Sequence, residues 1–432
     1  MPTPNLKDLP RRAFGSYQEQ TGQSLKLWAF LALTSFITQI VLRHELAPGE
    51  FGTLNTVFGV IGLMCVPLVA VIQTFTWYLA LNHAPERRER IDSLRSATVL
   101  VTEMFAWAWA GVAGLLLLLA LPLVELPRLS LHLFTLIAVL IALGGVLSGA
   151  VYSDEKQLRL WIWLLGIAAV ARLILSAWLG WSQPWAESGL AAFLIAGLIT
   201  FAPALRPTEA EESQRMKALR AVWDRDFLLN LSATFSVLLA LFLFSSADRI
   251  VAQSWFGAPT NNNFGYVDWR MFDAYQTAGL IGRSLLWGTQ PLLLILYAQR
   301  SLLDRSTPAS IRWFWIYLGA LLAGVIFVEL FRLPLSWLFC GRDLLYTSHL
   351  VPIFALAMVP LGLLQGLGMF ALASRRYPEC FVLGGCSIGY TLLLYLAGRQ
   401  AVLMPAYMFG GGLVALMILL FVGVVRWGRK QP

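Results

Sequence analysis

The stretch Leu46-Ala-Pro-Gly-Glu-Phe-Gly-Thr53 leads into a long apolar run, 51–81, and it has a weaker echo later in the chain. Phe256-Gly-Ala-Pro259, followed by Asn263-Phe-Gly265, leads into a second long run, 264–299. Superposing Phe51-Gly52 on Phe264-Gly265 sets an offset of 213 residues, 264 minus 51. That single offset carries the first apolar block of the chain onto the seventh, and the third to sixth onto the ninth to twelfth. Six blocks are an even number of crossings, so both halves point the same way. The pattern is therefore a parallel repeat about an axis along the membrane normal.

The blocks have the length of membrane spans. The 432 residues are 58% hydrophobic and 13% charged, with mean hydropathy +0.68, where soluble chains carry about a quarter charged residues. Spans are predicted at 24–43, 51–81, 98–122, 131–152, 158–180, 188–204, 227–248, 264–299, 311–333, 347–372, 379–397 and 401–426. Most are near the ~20 residues a helix needs to cross a bilayer. Val112–Val124 does not alternate in polarity, which argues against a membrane β-barrel. The expected fold is an all-α membrane protein of about 12 transmembrane helices in two six-helix lobes. The predicted boundaries are a cytoplasmic segment 1–23, an N-lobe 24–204, a linker 205–226, a C-lobe 227–426 and a tail 427–432. The second and eighth spans contain breakers (Gly59, Gly62 and Pro67; Gly279, Gly282, Gly288 and Pro291). They read as bent or broken helices lining a cavity.

Charge sets the orientation. The net charge is +8, with 32 Lys and Arg. Twenty-three of these fall in the segments sharing the N-terminal side, Arg87–Arg95 and Arg206–Arg225 among them. Five (Arg43, Arg128, Arg249, Arg342, Arg399) fall on the other side, and four lie inside spans. This bias predicts cytoplasmic termini and an uncleaved first span. It reflects topology and gives no sign of a nucleic-acid partner. Cys65, Cys340, Cys380 and Cys386 lie in or beside apolar segments, without disulfide or metal spacing. The four histidines share no helix face, no loop could house a catalytic domain, and there is no phosphate-cradling glycine loop. No enzyme, metal or cofactor is expected.

The loop patterns quoted above, together with Asp248-Arg249-Ile250, Phe256-Gly257 and Phe264-Gly265-Tyr266, resemble those of oligosaccharide and polysaccharide flippases. These belong to the multidrug/oligosaccharidyl-lipid/polysaccharide (MOP) exporter superfamily. The resemblance implies a central cavity lined by spans 1, 2, 7 and 8, alternating access, and export of lipid-linked glycans across the bacterial inner membrane. The partners it implies are a lipid-linked or polymeric glycan, membrane lipids and glycan synthase components. Lipid II flippases of this kind carry two additional helices that this chain has no room for. The drug-exporting branch often has an acidic residue in its first span, and Leu27–Leu42 has none. Two other readings stay open: a cation-coupled multidrug exporter of the same superfamily, and a non-transporting scaffold of a glycan synthase.

Charged residues at membrane depth are costly and usually face a cavity or a partner. On the eighth span Trp269, Asp273, Gln276, Arg283, Trp287 and Gln290 share one helical face. Arg270 is placed to pair with Asp273. Arg283 lies ten residues beyond Asp273, about 15 Å along the axis, too far to use it. Arg283 then either grips a substrate phosphate through two parallel hydrogen bonds or pairs with a carboxylate on another helix and locks the lobes. Its repeat mate is Ala70 and that of Asp273 is Val60, so the cavity should be asymmetric. Arg172 reads as a second anion site or an internal pair. Gln73 and Thr74, with Thr34, Thr38 and Gln39, could bind sugar hydroxyls or glue helices. Asp248 and Arg249 are candidates for an ion pair at an external gate. Glu329 and Arg332 should pair, and Glu103 reads as a snorkelling or capping residue.

Overall fold

The computed structural model describes residues 11–81, a few positions between 105 and 115, 128–151, 155–201, 225–257, 269–302, 308–340, and 344–428 apart from 399 and 401. In chain order the helices are α1 (Arg11–Glu45), α2 (Glu50–Leu81), α3 (Leu129–Val151), α4 (Glu155–Ser182), α5 (Ala186–Phe201) and α6 (Arg225–Ala252). α6 runs into a π-helical turn, Gln253–Gly257. Then come α7 (Trp269–Leu302), α8 (Pro308–Leu330), α9 (Arg332–Cys340), α10 (Leu344–Ala373), α11 (Tyr377–Ala397) and α12 (Met404–Gly428). The predicted third span, Glu103, most of the 205–226 linker and the Asn263-Phe264-Gly265 echo lie outside the described residues or nearly so.

Among the described residues eight helices are long and apolar enough to cross a membrane, and α8 with α9 makes a ninth. α5 is apolar but shorter. α7 is long, at 34 residues, but its polar face keeps it off that list. Together these account for all the predicted spans but the third. Trp163, Ile174, Leu330 and Leu396 point outward, while Asp248, Asp273 and Arg283 are fully buried. Apolar outside and charged inside is the distribution that lipid imposes. The chain is an all-α membrane protein.

The sequence reading expected the second and eighth spans to be bent or broken, and neither is broken. α2 and α7, with Pro67 and Pro291 inside them, are each continuous. The large bend, 71°, falls between α8 and α9. The cause is Pro334, which has no amide hydrogen and whose ring clashes with the carbonyl four residues back. That residue is Leu330, where α8 ends.

Packing repeats between the two halves. α4 lies on α1 as α11 lies on α6, α3 on α2 as α10 on α7, and α5 on α3 and α4 as α12 on α10 and α11. The halves meet where α2 packs on α6 and α7, and where α1 packs on α7 and α9. Close approach there depends on glycine. A Cβ on Gly52 would land on the Phe272 ring, and one on Gly62 would sit 2.6 Å from Phe242. α9 adds an edge-to-face pair, Phe36 with Phe339 at 5.0 Å, and His44 Nε2 lies 2.9 Å from the Leu338 carbonyl.

Candidate functional site

α6 and α7 come together around one buried carboxylate. Arg283 donates from Nη1 to both oxygens of Asp248, at 2.9 and 2.7 Å. Tyr275, two turns nearer the start of α7, donates its hydroxyl to Asp248 Oδ2 at 3.1 Å. Arg283 fits because Gly279, one turn away, has no side chain: a Cβ there would lie 2.6 Å from Arg283 Nη2. Arg283 and Asp248 are both fully buried. Of the two readings of Arg283, the carboxylate partner on another helix is the one present, and it engages one nitrogen. The pair joins two helices of one half and does not lock the lobes. Arg283 Nε and Nη2 keep no hydrogen-bond partner among the described residues.

Arg249, the next residue along α6, is a second buried guanidinium. It donates to Ser246 Oγ at 3.0 Å and lies over the Trp287 ring, 5.6 Å from its centroid. Its Nε has no partner among the described residues. It stands close enough to feel the charge of both Arg283 and Asp248. The gate pair Asp248–Arg249 is therefore not formed, because Asp248 spends its oxygens on Arg283 and Tyr275. Of the two arginines, Arg283 is the one that bonds the carboxylate. Gln276 Nε2 donates to the Arg249 carbonyl at 3.3 Å, and its Oε1 is unpartnered. Gln253 and the Tyr390 hydroxyl are also buried without partners. The sequence reading missed Tyr275, Tyr390 and Gln253. Both tyrosines pass for apolar core, and Gln253 sits in a turn that helical periodicity does not cover.

Asp273 has a role across the two halves that the sequence did not indicate. Its carboxylate accepts from Gly49 N and Gly52 N, both at 2.8 Å, and Arg43 Nη1 lies 3.5 Å away. It caps the N-terminus of α2 from the opposite half of the molecule, where the helix dipole favours a negative charge. The turn that presents these amides needs Gly49, at φ 87°. The Arg270 side chain lies outside the described residues. Thr56 Oγ1 adds a bond to the Arg249 carbonyl at 3.1 Å. The halves are thus tied at the end where α1 turns into α2.

The remaining candidates lie apart from this cluster. Arg172 on α4 donates to Ser35 Oγ on α1 at 2.5 Å, and its Nε is unpartnered. Thr38 bonds its own helix at the Thr34 carbonyl, 2.7 Å. Gln39 Oε1 and Thr74 Oγ1 are buried without partners, Gln73 is half-buried and Gln290 is exposed. Glu329 and Arg332 do pair, at 3.3 Å on the surface. At the α1–α2 end of the first half, Arg128 grips Glu50 at 2.5 and 3.0 Å and Glu187 at 2.8 Å through two nitrogens, and lies over Trp185. Burial works against the charge of Arg128, but the two carboxylates outweigh it and raise its pKa.

No protein-family model matches the chain, and no curated protein sequence does. Solved structures do. An inward-facing multidrug-resistance MATE transporter of the MOP superfamily matches at TM-score 0.59 and 12% identity, covering 93% of this chain and 96% of that one. A Vibrio cholerae MATE transporter, VcmN, matches at 0.59 and 14%, covering 94% and 98%. The lipid II flippase MurJ, in an inward closed conformation, matches at 0.57 and 13%, covering 91% and 87%. At such identities the likeness concerns the fold, and the chain has the fold of the MOP-superfamily transporters.

Proposed function

We propose that the protein moves a lipid-linked oligosaccharide or a nascent polysaccharide from the cytoplasmic to the outer leaflet of a bacterial inner membrane, by rocking of two lobes. The observation that carries this reading is the buried pair Arg249 and Arg283, of which Arg283 alone bonds a carboxylate and which keep three nitrogens unpartnered among the described residues. Surplus buried positive charge favours an anionic group, such as the pyrophosphate of a lipid carrier, over a cationic drug. The termini and the Ala204–Asp226 segment are placed in the cytoplasm by the charge bias. The α1–α2 end, tied by Asp273, is then the outer gate, drawn closed. Lobes 24–204 and 227–426 move as the two bodies.

A multidrug exporter remains the second reading, since two of the matched structures are multidrug or MATE transporters. Deletion and complementation in the native host separate the two. The flippase reading expects loss of surface glycan on deletion, rescue by the wild type, and no rescue by Arg249→Gln expressed to the same level. Unchanged surface glycan together with new drug sensitivity in the deletion strain would turn the assignment to the exporter.

A further inference from the structure

The 213-residue repeat aligns Ser35 on α1 with Asp248 on α6, since 248 minus 213 is 35. The two positions do the same job. Each accepts a hydrogen bond from a buried or half-buried arginine: Arg283 at Asp248 and Arg172 at Ser35. The arginines arrive from different helices, so what the halves share is the acceptor position. In the second half that acceptor is a carboxylate and neutralises its arginine. In the first half it is a neutral hydroxyl. Arg172 has no carboxylate partner among the described residues, and a guanidinium at membrane depth without one is costly.

The surroundings of Arg172 contain other unmet hydrogen-bonding groups. α1 and α4 run side by side in the same direction: Gly166 lies against Phe30, Arg172 reaches Ser35, and Gly180 lies against Glu45. Ser176 and Gln39 each lie one turn beyond the Arg172–Ser35 contact on their parallel helices, and that register places them at the same level. Ser176 is 1% exposed, and its hydroxyl has no partner. Neither do Gln39 Oε1 and Arg172 Nε. A turn of the Gln39 amide exchanges its oxygen for an NH2 donor. Arginine, serine and glutamine on two adjacent helices then offer N–H and O–H donors, with no carboxylate on the arginine among the described residues.

We propose that the α1–α4 contact is an oxyanion site for a phosphate group, held by Arg172, Ser176 and Gln39, and that the anion supplies the counter-charge that Asp248 supplies in the other half. As an anion site it stands on this geometry alone. As a station for the pyrophosphate of a lipid carrier it rests on the flippase reading.

The test is equilibrium dialysis of radiolabelled inorganic pyrophosphate against the purified full chain in neutral detergent at fixed ionic strength. Ser35→Asp installs the missing carboxylate and should remove one bound pyrophosphate per chain relative to wild type, while raising the unfolding temperature. Arg172→Gln should remove the same one. Ser35→Ala, which leaves the arginine charged, should retain it. Equal binding by wild type and Ser35→Asp would overturn the proposal, as would loss of binding in Ser35→Ala with Arg172 intact. Repeating the dialysis in nanodiscs names the source of the phosphate. Displacement of this pyrophosphate by phosphatidylglycerol, and not by phosphatidylcholine, assigns a bulk lipid headgroup. Resistance to both assigns a diphosphate. Loss of the site with glycan export intact removes the site and spares the flippase reading; an intact site in a chain that moves no glycan does the reverse.

Discussion

Arg283 shows how far a single residue can be read from sequence. Its depth and its helical face were legible, because a charged residue amid apolar ones is conspicuous. Its partner was not, since Asp248 lies 35 positions away on another helix and periodicity orders residues on one helix only. The pairing changes what a mutation should do. Arg283→Ala leaves Asp248 buried and uncompensated, at a cost of about 3–5 kcal/mol. It should therefore lower the folded yield and the unfolding temperature before any effect on transport can be read. Asp248→Asn combined with Arg283→Gln should recover most of that stability, measured by unfolding of the purified proteins in detergent. A single Arg283→Ala variant as stable as wild type would mean that the pair contributes nothing to folding. Arg249 is the better functional probe, because its neighbours are a hydroxyl and an indole and its loss strands no carboxylate.

At the scale of elements, the two halves are tied at the contact of α2 and α7. Asp273 binds two amides of the opposite half, and Gly52 lets Phe272 close over the same turn. Asp273→Ala removes a cap of about 0.5–2 kcal/mol and should shift the population toward a state open at this end. A cysteine replacing the buried Thr53 in a cysteine-free background reports it. Modification by an impermeant maleimide added outside cells should be slow with Asp273 present and several-fold faster in Asp273→Ala. Equal rates would show that the tie does not hold the gate. The sequence marked this turn, through Pro48-Gly49 and Phe51-Gly52, as the strongest signal in the chain, but its tie to Asp273 was not legible, because helical spacing relates Asp273 only to neighbours on its own helix such as Arg270. The bend at Pro334 was legible too, from Leu333-Pro334 at the end of an apolar run. The run 311–333 has the length of a single span, so length alone does not reveal the bend.

For the whole molecule, the repeat and the helix inventory followed from block length and one offset, because lipid forces each crossing to be a continuous apolar helix. The packing pattern of the two halves repeats accordingly. What a repeat does not reveal is where the halves differ, and the differences, Ser35 against Asp248 and Ala70 against Arg283, are where the charged chemistry sits. The proposed orientation has its own check. A cysteine at position 215 in a cysteine-free background should resist an impermeant reagent in intact cells and react once the cells are opened; labelling in intact cells would invert the topology. The central claim, transport of an anionic lipid-linked glycan through a cationic site, is tested most directly in proteoliposomes. A fluorescent polyprenyl-pyrophosphate oligosaccharide is placed in one leaflet, and its appearance in the other is followed with an external quencher. The account predicts transfer well above that of protein-free vesicles, slowed about tenfold or more by Arg249→Gln at equal thermal stability, equivalent to roughly 1.4 kcal/mol of lost interaction. Wild-type transfer no faster than in protein-free vesicles, or Arg249→Gln transfer as fast as wild type, would contradict it.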